Sequence, residues 1–504
     1  RATALALGAR LDVEAVPAVR DALAWSLAEL AVPEAAPSAR AALRPPATVG
    51  DGPTARWTRV FALRALSAAG VTEEAELLVL AADPDPQLQL AALAALARRP
   101  ASALTSHLLD ALRTIASGAA SAHVRARAIA LLGDRADPHD DRARHALADA
   151  AADPSPSVRR AALHARARLD PAAAALALDA ALASLDPFDR AAAATAAARL
   201  PDDLARPRLS RALDDATPSV RAAAVAALAT KRDLPELDAW LARAAADVDL
   251  AVAEELAATL TALAPGRGDL ARAAFARRPS SQHAEARKAL LGAIVACDPE
   301  APDLDATLRS ALDDPDLGVR LEAARRLAAR GAIVPPFCDA DRRRFPRVGV
   351  EVPVAFLATR PRLELVTTRG RMVVALAPAI APVHCWNLCQ LAARGALDGL
   401  PFHRVVPDFV VQGGDSRGDG YGNLSIWGGN LRAEIDAMPF LAGTVGMPRS
   451  AEPDSGGGQF FVTLGPAPHL DGRYTALGRV VQGLAVAELI EIGDRIERVL
   501  LLAD

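Results

Sequence analysis

The sequence predicts a multidomain protein, an all-α repeat segment over residues 1–334 followed by a β-rich domain over residues 362–504. Three observations carry this. Glycine is unevenly placed, with 12 in residues 1–361 and 20 in residues 362–504; helices tolerate Gly poorly, while turns use it freely. The first segment is self-similar at a short period. From Leu363 onward, short apolar runs bounded by turn residues replace the helical pattern. At 504 residues and 52% apolar the chain has ample material for more than one core. Aromatics make up only 4%, so that core is built from Ala, Leu and Val.

The repeat is clearest in Asp153-Pro154-Ser155-Pro156-Ser157-Val158-Arg159, in Asp215-Ala216-Thr217-Pro218-Ser219-Val220-Arg221 and in Asp314-Pro315-Asp316-Leu317-Gly318-Val319-Arg320. Aligned on the Arg, the series is Arg20, Arg59, Arg125, Arg159, Arg190, Arg221, Arg287 and Arg320, with Gln89 and Ala253 in the remaining slots. The spacings run from 30 to 39 residues, giving about ten units of two short helices each. Ser155 or Thr217 is placed to cap a helix, with Pro156 or Pro218 in its first turn. Such a helix pair cannot bury its apolar face alone and must stack on its neighbours. The recurring Arg, near a recurring Asp, is expected to bridge adjacent units. Arg44 to Arg56 and Ala264 to Ser281 break the pattern and are expected to be loops. The units resemble HEAT repeats of the short bacterial type, with an Asp-Pro…Val-Arg signature.

Residues 335–361 are expected to be a Pro/Arg-rich linker, from Pro335-Pro336 through Arg342-Arg343-Arg344, with Val348 to Leu357 apolar enough to dock on a neighbouring domain. Beyond it, Leu363 to Thr368 and Gly370 to Leu376 predict a hairpin, and Ala381 to Ala393 a helix.

Two stretches of the β-rich segment carry the candidate chemistry. One is Phe402-His403-Arg404-Val405-Val406-Pro407-Asp408-Phe409-Val410-Val411-Gln412-Gly413-Gly414-Asp415. The other is Gly456-Gly457-Gly458-Gln459-Phe460-Phe461-Val462-Thr463, followed by Pro468-His469-Leu470-Asp471-Gly472-Arg473-Tyr474-Thr475. Were Phe409 to Gln412 all strand, Phe409 and Gln412 would face opposite ways, so a shared site demands a bulge or curvature. The two stretches, about 40 residues apart, resemble the catalytic segments of cyclophilins, the peptidyl-prolyl cis-trans isomerases, over roughly residues 362–504.

The resemblance implies a cyclophilin-like eight-stranded antiparallel β-barrel with two helices, joined here to an all-α HEAT-like solenoid. It implies prolyl isomerase activity assisting protein folding, with no cofactor and no metal. Arg404 and Gln412 take the catalytic places; Phe409, Val410, Met447, Gln459, Phe461, His469, Leu470 and Tyr474 take the substrate-binding ones. An X–Pro bond isomerises over tens to hundreds of seconds unaided, against a barrier of roughly 18–20 kcal/mol from amide conjugation. An Arg, always charged and directional, suits hydrogen bonding to the prolyl nitrogen, which draws its lone pair out of conjugation. The sequence departs from the family at several places. Val410 replaces a usual Met, His469 a Trp found in drug-sensitive members and Tyr474 a frequent His. Met447-Pro448-Arg449-Ser450 replaces the usual Met-Ala-Asn-Ala, and Pro448 removes one backbone N–H. An adaptor that only binds proline-containing peptides is the alternative reading.

A net charge of −4 and pI of about 6.2 imply no broad basic face, so no nucleic-acid partner is expected. No apolar run is long enough for a membrane span. Gly418-x-Gly420-x-Gly422 lacks the Lys and strand-to-helix setting of a phosphate loop. Cys385 and Cys389, four apart on a helix, are expected to be buried thiols. The His residues of the repeats lack ligand or triad spacing. The expected partners are proline-containing peptides or unfolded clients on the barrel, and a protein on the solenoid. The Ala- and Arg-rich, Lys-poor composition points to a soluble protein of a bacterium with high genomic GC; the sequence leaves the compartment open between cell envelope or periplasm and cytoplasm. A start at Arg1, without Met, predicts a processed or truncated N-terminus.

Overall fold

The computed structural model describes residues 1–44, 52–100, 105–278, 280–334, 350–423 and 425–502. Through residue 334 the regular structure among them is helical. In chain order the α-helices are α1 (Ala2–Val13), α2 (Pro17–Leu30), α3 (Ala36–Ala42), α4 (Gly52–Ala68), α5 (Glu74–Ala81), α6 (Pro86–Arg98) and α7 (Ser106–Gly118). They continue as α8 (Ala122–Arg135), α9 (Asp141–Ala150), α10 (Pro156–Leu169), α11 (Pro171–Ala181), α12 (Pro187–Ala197) and α13 (Asp202–Leu213). The rest are α14 (Pro218–Leu228), α15 (Leu237–Ala246), α16 (Leu250–Leu263), α17 (Gly268–Ala276), α18 (Ser280–Cys297), α19 (Leu304–Ser310) and α20 (Leu317–Ala329).

The starts follow the sequence signals. Pro opens α2, α6, α11, α12 and α14, where its missing N–H costs nothing. Asp85, Asp140, Asp170, Asp186, Asp249 and Asp316 each accept a hydrogen bond from a first-turn N–H. Ser155 Oγ accepts from Val158 N at 3.2 Å, as its position suggested. Thr217 holds the N-cap position of α14 without capping it; its hydroxyl instead accepts from Arg190 Nη2 at 2.8 Å. Two expected loops are corrected. Ala264 to Ser281 contains α17, whose Asp269 in the first turn and Ala-rich run outweigh the neighbouring Pro265 and Gly266. In the Arg44 to Arg56 stretch, Gly52 already opens α4, and residues 45–51 lie outside the described residues.

The recurring Arg works as a stitch. Arg125 donates to Asp153 at 2.9 Å and to the carbonyls of Ala119 and Ala120 in its own preceding loop. Arg190 does the same with Asp215, Ser184 and Leu185, and Arg221 with Asp247, Asp215 and Ala216. Each Asp also turns its own loop, Asp153 accepting from Ser155 N and Asp215 from Thr217 N. One guanidinium thus ties two consecutive loops.

The chain divides into two compact units: Arg1–Ala165 with Val352–Arg449 and Pro453–Asp504, and Arg166–Glu351 with Ser450–Glu452. In the second, α12, α14, α16, α18 and α20 pack in succession through buried Ala194, Val225, Leu256, Leu260 and Leu290. Its Arg287–Asp314 pair is the most enclosed of the stitches, with side-chain exposures of 12% and 1%. Asp314→Ala leaves Arg287 desolvated without its anion and should cost about 3–5 kcal/mol. The check is thermal unfolding of the full chain; an unchanged melting profile would refute the stitch.

In the first unit α2, α4, α6 and α8 pack in succession. The C-terminal part is an eight-stranded antiparallel sheet of β1 (Arg362–Thr367), β2 (Gly370–Leu376), β3 (Arg404–Val406), β4 (Val410–Gly413), β5 (Thr444–Gly446), β6 (Phe460–Thr463), β7 (Ala476–Gln482) and β8 (Ile496–Leu502). The strand order is β3-β4-β6-β5-β7-β2-β1-β8. The sheet curls until the segments flanking its edge strands meet, Phe402 N donating to Asp494 O at 2.7 Å and Ile496 N to Leu400 O at 2.9 Å. Two helices accompany it, α21 (Pro382–Ala393) and the short α22 (Leu484–Ala487). Glu434 supplies the first turn of α21 with its anion, accepting from Val383 N and His384 N. Leu388 and Cys389 of α21 lie in one core with Leu363, Leu365, Val374, Val411, Val462 and Ile496. Burial pushes the Cys385 and Cys389 thiols up to about 12, as inert core groups. Cys338 and the Arg342 to Arg347 cluster lie outside the described residues. Of the expected docking run, Phe356 packs edge-on against Trp386 of α21, centroids 4.9 Å apart. No helix of the described residues is long and apolar enough to cross a membrane.

The sheet rests on the helices of its own unit. Glu491, after α22, is buried and accepts from Ser155 Oγ and, at 3.0 Å, from Ser157 N, so the barrel provides a carboxylate to the first turn of α10. Arg369 pairs with the same carboxylate at 2.6 Å. Arg160 donates to Ile492 O at 2.8 Å, and Arg56 pairs with Glu488 at 2.7 Å.

Candidate active site

Strands β3 and β4 pair without a bulge, Arg404 opposite Gln412 and Val406 opposite Val410. The strand begins only at Val410, and Pro407-Asp408-Phe409 form the turn between β3 and β4. The alternation problem is thereby resolved. Phe409 is released from strand geometry, and Val410 shares a face with Gln412. Val411, on the other face, belongs to the barrel core.

The pocket side holds a second apolar cluster of Val410, Phe440, Phe461, Ala467, Leu470 and Ala476, against which Phe409, Met438 and Tyr474 pack while remaining partly open. Phe461 is held between two rings, Phe440 at 5.8 Å and Tyr474, edge-on, at 6.3 Å. Gly446 makes room for this: a Cβ there would lie 2.4 Å from Phe461 Cζ and 2.6 Å from a Phe440 ring carbon. Phe409 faces the exposed His469 with ring centroids 5.2 Å apart.

A polar file runs along one side. Gln412 is opposite Phe461 across the β4–β6 ladder. The exposed Arg404 guanidinium lies 3.5 Å from Gln412 Oε1, and Gln412 Nε2 donates to Gln459 Oε1 at 2.7 Å. Gln459 Nε2 in turn donates to Gly420 O at 2.8 Å and Gly422 O at 3.3 Å. The glycine loop serves this file and wraps an internal anion: buried Asp415 accepts from the backbone N–H of Arg417, Asp419 and Gly420. Burial holds the adjacent His403 imidazole below its ordinary value, against the raising fields of Asp415 and Asp419.

Nine of the ten residues expected from the sequence are thus brought together, as the file Arg404, Gln412 and Gln459 and the pocket of Phe409, Val410, Phe461, His469, Leu470 and Tyr474. Met447 is set apart; its side chain lies in the main barrel core, beneath Gly456. Sequence reasoning missed Phe440 and Met438, whose only signal was an apolar Met-Pro-Phe-Leu run in an aromatic-poor chain. Arg449, noted in the sequence as part of the Met447-Pro448-Arg449-Ser450 departure, lies with its guanidinium over the Tyr474 ring at 4.5 Å.

A curled antiparallel sheet with an aromatic pocket and an adjoining Arg–Gln file is the architecture of a barrel-type prolyl isomerase. Residues 362–500 match the family model described as cyclophilin type peptidyl-prolyl cis-trans isomerase/CLD. Relatives agree. The chain is 45% identical over 128 residues to peptidyl-prolyl cis-trans isomerase ppi1 of Schizosaccharomyces pombe, an overlap of 25% of this chain and 82% of that protein. It is 40% identical over 131 residues to the human peptidyl-prolyl cis-trans isomerase-like 1, covering 26% and 79%. It is 41% identical over 128 residues to peptidyl-prolyl cis-trans isomerase CYP18-2 of Arabidopsis thaliana, covering 25% and 77%. The chain belongs to the cyclophilin-type peptidyl-prolyl cis-trans isomerases.

Proposed function

We propose that the chain isomerises X–Pro bonds in unfolded or extended client proteins, with residues 1–334 a HEAT-like solenoid of about ten repeats that holds a client or partner protein. In this reading residues 335–361 link it to an isomerase domain at 362–504, and the composition points to a bacterial source. The observation that carries the catalytic part is the Arg404–Gln412–Gln459 file beside the pocket of Phe409, Phe461 and Leu470.

The chemistry follows from that arrangement. Phe409, Phe461 and Leu470 grip the proline ring by apolar contact, with Val410 beneath and His469 and Tyr474 at the rim. Gln412 holds the carbonyl of the residue that turns, and Gln459 a neighbouring backbone group. Arg404 donates to the prolyl nitrogen as it becomes pyramidal. The lone pair leaves conjugation, the partial double bond weakens, and the amide rotates. No bond to the protein forms, and no proton changes hands.

A second reading, an adaptor that binds proline-containing peptides without turnover, is favoured by Arg449, whose guanidinium covers the Tyr474 ring beside Phe461. Cis-trans exchange of an Ala-Pro peptide with the full chain separates the two. Acceleration at catalytic concentrations is expected; exchange at the uncatalysed rate, with peptide binding retained, would leave only the adaptor.

A further inference from the structure

The two loops that carry the pocket's outer wall are both held by N-terminal helices of the same unit. The Pro407-Asp408-Phe409 turn receives Arg64 of α4, whose Nη2 lies 3.0 Å from Asp408 Oδ2 and 3.4 Å from Asp408 O. Gln87 of α6 donates to Pro407 O at 3.0 Å. The loop after β6, which leads to His469 and Leu470, lies against Trp57 of α4. A Cβ on Gly465 would meet three indole carbons at 2.3–2.6 Å, so ring and backbone are in direct contact. Leu464 N donates to Phe409 O at 2.9 Å, tying the two loops together. Burial holds the His469 imidazole below its ordinary value, against the raising fields of Glu29, near the end of α2, and of Asp471. Among the described residues, the contacts that order Arg404, Gln412 and Gln459 come by contrast from β3, β4, β6 and the glycine loop.

We propose that Trp57, Arg64 and Gln87 are positioning residues of the isomerase site. The helices fix the Phe409 and His469 side of the proline pocket, and the catalytic Arg stands on the barrel by itself. This rests on the assignment of Phe409 and His469 to the substrate pocket. Loss of these contacts lets the Phe409 turn and the His469 loop shift as one piece, because Leu464 joins them. Substrate binding then weakens while the chemical step, made by Arg404, is spared.

The test uses the full chain with Arg64→Ala, Asp408→Ala and the double variant, each checked for an unchanged melting profile. Turnover and directly titrated binding of an Ala-Pro peptide are both read. Each single change is expected to raise KM and Kd about 5- to 10-fold, the scale of one charge-assisted hydrogen bond, with kcat held within about two-fold. The double variant should be no worse than the worse single one, because both residues act through one contact. Arg64→Lys, which keeps the charge, should recover most of the binding. Unchanged KM and Kd, additive effects, or a fall in kcat alone would overturn the proposal, as would an intact chain that binds no peptide. If the wild-type chain binds peptide without turning it over, the isomerase reading falls. The Kd changes then decide the positioning role by themselves.

Discussion

Arg404→Ala lowers kcat for an Ala-Pro peptide by about 100- to 1,000-fold, the scale seen when one preorganised donor to developing charge is removed. Peptide Kd stays within about two-fold. The split follows from position. The Arg404 side chain is exposed and lies beside the pocket cluster, not in it, so it contributes little to the apolar grip on the proline ring. In the proposed mechanism its hydrogen bond strengthens only as the prolyl nitrogen becomes pyramidal, so the loss falls on the transition state. Single-turnover exchange measured with a separate binding titration checks this. Parallel loss of binding and rate would make Arg404 a binding residue and refute the assigned mechanism.

Glu491→Ala detaches the barrel from its helices. The carboxylate is only 2% exposed and serves Arg369, Ser155 and Ser157 together. Truncation leaves a buried hydroxyl and a helix N–H without their acceptor and leaves Arg369 with Asp494 alone of its two carboxylates, at a cost of about 3–5 kcal/mol. Increased protease cleavage between the barrel and α10 and a lowered first unfolding transition are expected; a protected, wild-type-like chain would show the contact to be dispensable. The same junction is sensitive to acid. Burial by itself would raise the Glu491 carboxyl, yet the hydrogen bonds from Ser155 and Ser157 and the Arg369 charge hold it below its ordinary 4.5. A depressed carboxyl stabilises the fold above that value and loses the contribution as pH falls through it. Burial also holds the neighbouring His123 below its ordinary 6.5. The unfolded chain therefore takes up that proton first, and stability declines as pH drops below about 6.5. Melting temperature should fall in acid from that pH downward, with a further loss below about 4.5 that Glu491→Ala removes.

Much of this was legible in the sequence, for reasons that are local. Pro at a first turn, Asp before it and Ala-Leu spacing after it specify a helix without outside help, and the Arg stitch was expected from its recurrence alone. The file of Arg404, Gln412 and Gln459, with Phe461 beside it, was legible because these residues lie within two contiguous stretches. Phe409 was harder. Its place depends on where β4 begins, because one residue decides whether Phe409 alternates within the strand or belongs to the turn before it. The α17 helix was hidden by Pro265 and Gly266, whose turn signals end just before it. Nothing local could have indicated Trp57, Arg64 or Gln87, because their partners lie more than 300 residues away and act through tertiary contact alone. Thr217 shows the same limit at short range: its cap position was correct, but the Arg190 guanidinium from α12 claimed the hydroxyl.

The barrel's carboxylate at the start of α10 also sets an order of events during synthesis. Ser155 and Glu491 are separated by 336 residues. At about 5–20 residues per second on the ribosome, α10 emerges roughly 15–70 s before the group that completes its first turn. Throughout that interval the early helices have no barrel to rest on. The apolar indole of Trp57 and the N–H groups of α10 therefore face the crowded surroundings of a growing chain. A group translated late in this stretch completes the first turn of a helix translated long before it.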